Sequence, residues 1–469
     1  MYYSGTMIIK NRRELAITKS RDRALQIIEA GIKRVLPRNI MRAAVSYDAV
    51  RKIMGIKNDS LFLSSANRVF VIGGGKASGL MAQALEDIIG VGDITAGVVN
   101  FKGGSVRTQK IKTVIAGHPT PDQRGVSGVE EMLSLKSRYK IDKNDIVICL
   151  LSGGGSALMP YPVAGVGLED KQKITGLLIG SGAKIDEINI VRKHLSRVKG
   201  GQLAEFYSPA KVISLIISDV IGNDLVTIAS GPTTPDPSTF ADAYKVLKNY
   251  NLVAKAPKSV ITFIEKGRRG EAPETPKALN DCHNYLIGDN ELALEAMAAK
   301  ARELSFSPYI ITSQQTGDTT KIARSRAREI LKYKYTGYDL LLIGSETTIK
   351  LPPDAGRGGR NQHYAAVSLL AMAGCPGQWL VASVGTDGSD FLPDVAGAIV
   401  DQGSLEAARA KKLDIEAYLE RCDSNTLLKK LGNSLVITGD TGTNVGDVIV
   451  YLVSSYELAG RAGLEAATS

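Results

Sequence analysis

The chain has 469 residues, of which 44% are hydrophobic and 23% charged, with a formal net charge of +10 at pH 7. That length exceeds what one core serves, about 250–300 residues, so two domains are expected, and the composition excludes disordered, collagen-like and coiled-coil chains. The basic clusters Arg268-Arg269 and Arg324/Arg326/Arg328 are isolated and no aromatics interleave with them, which excludes a nucleic-acid stacking platform and favours small anionic ligands.

In chain order, residues 13–57 read as helical, with Leu15, Leu25, Ile28, Ile32 and Val35 forming apolar faces before a break at Pro37. From Val69 onward, short β-rich runs alternate with helical stretches: VFVIGG (69–74), GLMAQALEDII (79–89), AGVVNF (96–101), VSGVEEMLSLKSRY (126–139) and DIVICLLSG (145–153). Such alternation predicts parallel strands joined by crossover helices. Residues 168–199 read as two helices, the second capped by Asp186 and buried through Ile185, Ile188 and Val191, and KVISLIISD (211–219) reads as a strand. Residues 250–282 turn rich in Lys, Arg, Pro and Glu, and the alternation restarts beyond them. The expected domains are therefore 1–250 and 251–469. In the second, NYLIG (284–288), YIIT (309–312), DLLLIG (339–344) and WLVASVG (379–385) read as strands, and LVITGDTGTNVGDVIVYLV (435–453) as a hairpin-like terminal pair.

Apolar runs repeatedly end in loops of Gly, Ser, Thr and Asp: GGGKAS (73–78), SGGGSA (152–157), SDVIGND (218–224), GSETT (344–348), GTDGSD (385–390) and TGDTGTN (438–444). Glycine at the carboxyl end of a strand suits a tight turn, and it also lets backbone N–H groups approach an anion. GGGKAS is not a Walker loop, because Phe70 stands where the first glycine belongs. Gly73, Gly75 and Gly79 follow a strand in a GxGxxxG pattern, yet the next strand ends at Asn100, where a nicotinamide reader would place an acid. Lys76 at a helix start can hold a phosphate or carboxylate, and Arg357 and Arg360 offer bidentate forks. Asp219, Asp224, Asp387 and Asp390 lie at strand ends, where they could serve a divalent cation or a reacting hydroxyl. His118 falls in a Pro-rich turn, His194 is expected near the surface, and no histidine has a partner at zinc spacing.

The succession GGGKAS, AGHPTPD (116–122), LLSGGGSALMPYP (150–162), INIVRKHLSRVKGGQLA (188–204), ISDVIGNDLVTIASGPTTPD (217–236), GSETTIKL (344–351), GRGGRNQ (356–362), VGTDGSD (384–390) and TGDTGTNVGD (438–447) resembles the class II glycerate kinase family, which carries a MOFRL domain. The likeness spans residues 10–455 and departs from the family pattern at Ser345, where GGETT is usual, and at Asp440, where TGPTGTN is usual. It implies an α/β protein of two domains: a Rossmann-like N-terminal domain with a mostly parallel sheet and a smaller α/β C-terminal domain, with the active site in the cleft between them. It also implies an ATP-dependent kinase that forms 2-phospho-D-glycerate from D-glycerate with Mg²⁺ or another divalent cation. The resemblance places active-site roles on Lys76 and Arg360, and nucleotide-phosphate contacts on Ser152, Gly153, Gly154, Gly155, Ser156 and Lys199. Asp219 and Asp387 are chosen by position, Asp219 for metal or base and Asp387 for metal.

The rival reading is a hydroxypyruvate reductase using a nicotinamide cofactor. Four widely spaced cysteines, an opening that does not read as a secretory leader, and no long apolar run suggest a cytoplasmic enzyme without membrane or nucleic-acid partners. A homodimer is compatible with this reading.

Overall fold

A strand buried on both faces must be covered by helices on both sides and reads as a continuous apolar run. VFVIGG and IVICLLS meet that description along their whole lengths. A computed structural model describes residues 7–63 and 68–453. The chain forms two compact units, Pro37–Gly288, and Met1–Leu36 together with Asp289–Ser469.

The Pro37–Gly288 unit holds β1 (Val45–Asp48), β2 (Ile53–Ile56), β3 (Asp59–Phe62), β4 (Val69–Gly74), β5 (Ala96–Phe101), β6 (Ile111–Ile115), β7 (Ile146–Ser152), β8 (Lys211–Ile217) and β9 (Cys282–Gly288). Strands β4 to β9 make one six-stranded sheet in the order β6-β5-β4-β7-β8-β9, and every pairing is parallel. Counted from β4, this is the 3-2-1-4-5-6 order of dinucleotide-binding folds, whose direction of winding reverses between β4 and β7. Phe70, Ile72, Val147, Cys149, Leu151 and Ile216 form the core beneath that point.

Strands β1, β2 and β3 form a separate antiparallel sheet. The helical expectation for residues 13–57 therefore holds only to Ala44, across the helices Arg12–Leu15, Lys19–Arg34 and Pro37–Ala44. Lys52 and Lys57, both at positive φ, turn the chain between these short strands. The helices Leu168–Gly180 and Ile185–His194 form as expected, but Asp186 is not the cap. Glu187 instead accepts the Lys184 backbone N–H at 3.0 Å, and Ile185 is exposed.

The second unit contains β10 (Pro308–Asp318), β11 (Leu340–Thr348), β12 (Trp379–Gly385), β13 (Gly397–Asp401), β14 (Leu435–Val436) and β15 (Asp447–Val453), in the order β10-β11-β15-β12-β13-β14. Only β10 and β11 pair in parallel. The expected terminal hairpin is absent, because β14 pairs with β13 while β15 enters between β11 and β12. DVIVYLV is buried at every residue, which suits a central strand and not a hairpin edge. GSETT is likewise not a loop, since it lies within β11 and pairs with β10 through Thr348.

The division at residue 250 also shifts. NYLIG belongs to β9, which pairs with β8 and completes the first sheet, so the boundary falls after Gly288. The N-terminal residues join the second unit because the Lys19–Arg34 helix packs on the Asn290–Glu303 helix. A Cβ on Gly31 would lie 2.6 Å from Met297 Cγ. Buried Arg21 strengthens that attachment, donating from Nε to Asp401 at 2.6 Å and from Nη2 to Ser404 at 2.7 Å. No helix among the described residues is long and apolar enough to cross a membrane.

Candidate active site

Because β4, β7 and β8 run parallel, the loops GGGKAS, SGGGSA and SDVIGND leave the same edge of the sheet, the first two at the switch point. The β4 and β7 loops touch backbone to backbone, which accounts for their glycines. Gly73 has φ +138°, and a Cβ there would lie 2.1 Å from Leu150 O, while one on Gly75 would lie 2.2 Å from Ser152 Oγ. The Lys76 N–H donates to Gly153 O at 2.8 Å, and the Ala77 N–H donates to Ser152 Oγ at 3.0 Å. Ser152 thus fixes the start of the Ser78–Ile89 helix, and its hydroxyl is engaged inside the protein.

Three polar side chains surround the Gly153-Gly154 turn of SGGGSA. A Cβ on Gly153 would fall 1.8 Å from Asp219 Oδ2; one on Gly154, at φ +79°, would fall 3.0 Å from both His118 Nε2 and Lys76 Cγ. The structure therefore brings Lys76, Asp219 and the Gly153-Gly154 turn together, and it adds His118. Asp224 is exposed and closes a local turn onto Val226 and Thr227.

Ser156 Oγ lies 2.6 Å from Ser230 Oγ, and Ser230 Oγ donates to Asn189 Oδ1 at 3.2 Å. Ala229 and Ser230 adopt φ +52° and +61°, a strained pair that turns the β8 loop onto SGGGSA. Neither Ser230 nor Asn189 carries a signal in the sequence, because two non-glycine residues at positive φ leave no local signature. Lys199 is buried and its Nζ donates to Gly155 O at 2.8 Å, so it braces the loop from behind. Burial, together with Lys171 and Arg192, holds its ammonium well below the usual lysine range. His194 is buried, not superficial, with Nδ1 2.8 Å from Ile190 O and Nε2 3.1 Å from Glu274.

In the second unit, β11 and β12 run in the same direction with β15 antiparallel between them. The end of β11, the GTDGSD loop and the TGDTGTN approach to β15 consequently share one sheet edge. Thr386 ties these loops together, donating from Oγ1 to Gly446 O at 2.7 Å and accepting the Val445 N–H at 3.0 Å. Arg360 opens the Arg360–Ala371 helix, giving Nε to Asp447 Oδ2 at 2.6 Å and Nη2 to Asp447 Oδ1 at 3.2 Å, with Glu346 3.6 Å from Nη1. Burial opposes its charge, but Asp447 prevails and raises the guanidinium pKa.

Asp390 is fully buried and caps the same helix, accepting the N–H groups of Asn361 at 3.0 Å and Gln362 at 2.8 Å. Burial pushes its carboxyl up to about 6 against those bonds. Asp387 is half-buried and accepts the Ser389 N–H at 3.0 Å, while Arg357 is exposed. Ser345 is buried with Oγ unpartnered among the described residues, and Asp440 accepts the Gly442 N–H at 2.8 Å. Asp219 and Asp387 belong to different units, and no group of three or more His, Cys, Asp or Glu among the described residues is placed to cage a metal ion.

Residues 23–265 match the family described as Domain of unknown function (DUF4147), and residues 339–447 match the MOFRL family. A glycerate 2-kinase of Pyrococcus horikoshii is 40% identical over 443 residues, covering 92% of this chain and 98% of the relative. A D-glycerate 2-kinase of Thermotoga maritima is 39% identical over 394 residues, covering 82% and 91%. The crystal structure of a glycerate kinase from Thermotoga maritima superposes with a TM-score of 0.78 at 36% identity, covering 92% of this chain and 98% of that one.

Proposed function

The chain belongs to the glycerate kinase family that carries a MOFRL domain, and from that premise we propose that it transfers the γ-phosphoryl group of ATP to D-glycerate, forming 2-phospho-D-glycerate and ADP. The observation that carries the reading is the grouping of Lys76, His118 and Asp219 around Gly153-Gly154 at the switch point. Phosphoryl transfer asks the protein for positioning and charge stabilisation more than for covalent chemistry. In the reaction the 2-hydroxyl oxygen bonds to the γ-phosphorus, the bond to the β–γ bridging oxygen breaks, and the hydroxyl proton passes to a base.

Lys76 supplies positive charge to the moving phosphoryl oxygens, and the glycine turn lets them approach the backbone. Ser156 and Gly155 line the phosphate side, held in place by Ser230 and Lys199. Arg360 offers Nη1, the arm of its fork that Asp447 leaves, to a substrate oxyanion.

Mg²⁺ keeps several waters and takes one or two carboxylates with substrate phosphate oxygens instead of an all-protein cage, so it does not require a cluster of protein ligands. Asp219, beside Gly153, would be a protein ligand of the ion, which when bound would neutralise charge on the β- and γ-phosphates. Four free cysteines suit a reducing, cytoplasmic setting.

The reductase reading loses its cofactor contact. Asn100 occupies the position of the ribose acid and is buried, with Nδ2 donating to Gly125 O at 2.9 Å and Leu158 O at 2.8 Å. Incubation with ATP, Mg²⁺ and D-glycerate, followed by product identification, tests the proposal. ADP and 2-phosphoglycerate are expected. NADPH oxidation with hydroxypyruvate and no ADP would overturn it.

A further inference from the structure

Three consecutive basic residues, Arg192, Lys193 and His194, end the Ile185–His194 helix, and they are treated differently. Lys193 faces Asp236 at 3.4 Å and His194 faces Glu274 at 3.1 Å. Arg192, partly buried, has no hydrogen-bond or ion-pair partner for its guanidinium among the described residues. Lys171, in the first turn of the Leu168–Gly180 helix, is 7% exposed, and its ammonium has no partner among them either.

These two helices pack together through Ile174 and Leu178 against Ile188 and Val191. Arg192 stands one turn beyond Asn189, which receives the Ser156–Ser230 hydroxyl chain, so it lies on the helix face turned to SGGGSA. Gln172, next to Lys171, donates to Pro121 O at 2.7 Å and ties that helix to the segment carrying His118. Lys199 completes the group behind Gly155. Burial lowers the Lys171 ammonium to about 7, with neighbouring Arg192 adding to the effect, and Lys171 in turn adds to the lowering that burial imposes on Lys199. Buried cations are ordinarily paired, because an unpaired one is costly to desolvate. Sequence-adjacent carboxylates do not serve: Asp170 accepts from Ser259 and Glu169 is exposed.

We propose that Lys171 and Arg192 are substrate-binding residues, a basic wall beside SGGGSA, with Lys199 bracing the loop behind it, that takes an oxyanion of the bound ligand, a nucleotide phosphate or the hydroxy acid carboxylate. The inference deepens the kinase reading and rests on it for the ligand's identity alone. The ligand supplies the counter-charge that the protein lacks. Lys171 and Arg192 therefore contribute to binding at the expense of the unliganded fold, a trade common at functional sites.

The test titrates wild type, Lys171→Met and Arg192→Met separately with sodium phosphate, ATP and D-glycerate, reading thermal shift. Unliganded variants should melt at or above the wild-type temperature. Their affinity should fall about 10- to 100-fold, the range for losing one charge-assisted hydrogen bond. Loss toward ATP and phosphate assigns the wall to the nucleotide, and loss toward D-glycerate assigns it to the carboxylate. Affinities within about twofold of wild type for all three probes would overturn the proposal. Acetic anhydride labelling of wild type gives a reading independent of variant folding: phosphate, ATP or D-glycerate should shield Lys171, and labelling unchanged by all three would also overturn it. Neither readout needs turnover, so a chain that bound these anions without phosphorylating glycerate would overturn the kinase reading and leave the wall standing.

Discussion

Arg360 and Asp447 form a bidentate pair, Nε to Oδ2 at 2.6 Å and Nη2 to Oδ1 at 3.2 Å, in which the Asp447 side chain is 4% exposed and the Arg360 side chain 33%. The planar fork that a substrate carboxylate could have engaged is largely taken by Asp447, which fixes the direction of Nη1. Arg360→Lys keeps the charge but cannot make both bonds. It should lower kcat/KM for D-glycerate about 100-fold, the effect of misplacing a reacting group by an ångström. Arg360→Ala should in addition cost about 2–4 kcal/mol of stability by stranding buried Asp447, and Arg360→Ala/Asp447→Asn should recover part of that loss. Steady-state kinetics and urea unfolding check both; additive losses in the double variant would contradict the pairing.

Gly153 is under a constraint of another kind. Its Cα approaches the Asp219 carboxylate so closely that a Cβ would fall 1.8 Å from Oδ2. Gly153→Ala must push Asp219 aside or move the turn, and kcat should fall by about 100-fold or more while the sheet core, remote from the methyl, stays folded. Circular dichroism with kcat measurement tests this. Full activity would show that Asp219 can move without consequence.

Asp390 predicts a pH dependence of stability. Its folded carboxyl, pushed up to about 6 by burial, holds its proton more tightly than the unfolded chain does, near 4. This group's contribution is therefore most favourable below about pH 4 and is lost as pH rises through about 6, a change on the order of 2–3 kcal/mol. Urea midpoints between pH 4 and 7 should show that decline in wild type and a flatter profile in Asp390→Asn. The same slope in both proteins would remove Asp390 as its source.

Much of the first sheet was legible because its strands are short, continuously apolar and followed by glycine loops, a pattern that local sequence carries by itself. VFVIGG, IVICLLS and KVISLII each became a central parallel strand. Sheet order was not legible where it depends on distant partners. Nothing local in LVITGDTGTNVGDVIVYLV says that β11 and β12 will receive β15 between them, or that β9 will pair with β8 across more than sixty intervening residues. Within the site, Lys76 and Asp219 were found because charge at a strand end has a recognisable place. Lys171 and Arg192 were not, because a lysine or arginine on a helix looks solvated until packing removes its partners.

Lys76 allows the most direct test. Its backbone N–H is fixed to Gly153 O at 2.8 Å, at the start of the Ser78–Ile89 helix, and its side chain passes over Gly154 beside His118. The side chain is therefore held at the place where glycine N–H groups and the helix N-terminus already favour negative charge. A cation there interacts most strongly when charge redistributes over the transferring phosphoryl group, so its removal should act on the transition state more than on bound ATP. Lys76→Ala should lower kcat by about 10²–10³-fold with little change in KM for ATP. Stability should hardly change, because the side chain is only partly buried and the backbone bond to Gly153 does not need it. Lys76→Arg separates charge from shape: a guanidinium is bulkier and planar, and over a glycine turn this tight it should restore only part of the rate. The measurement is kcat at saturating ATP and D-glycerate for variants shown to be folded. Activity of Lys76→Ala within about threefold of the parent would mean that this lysine has no part in the chemistry.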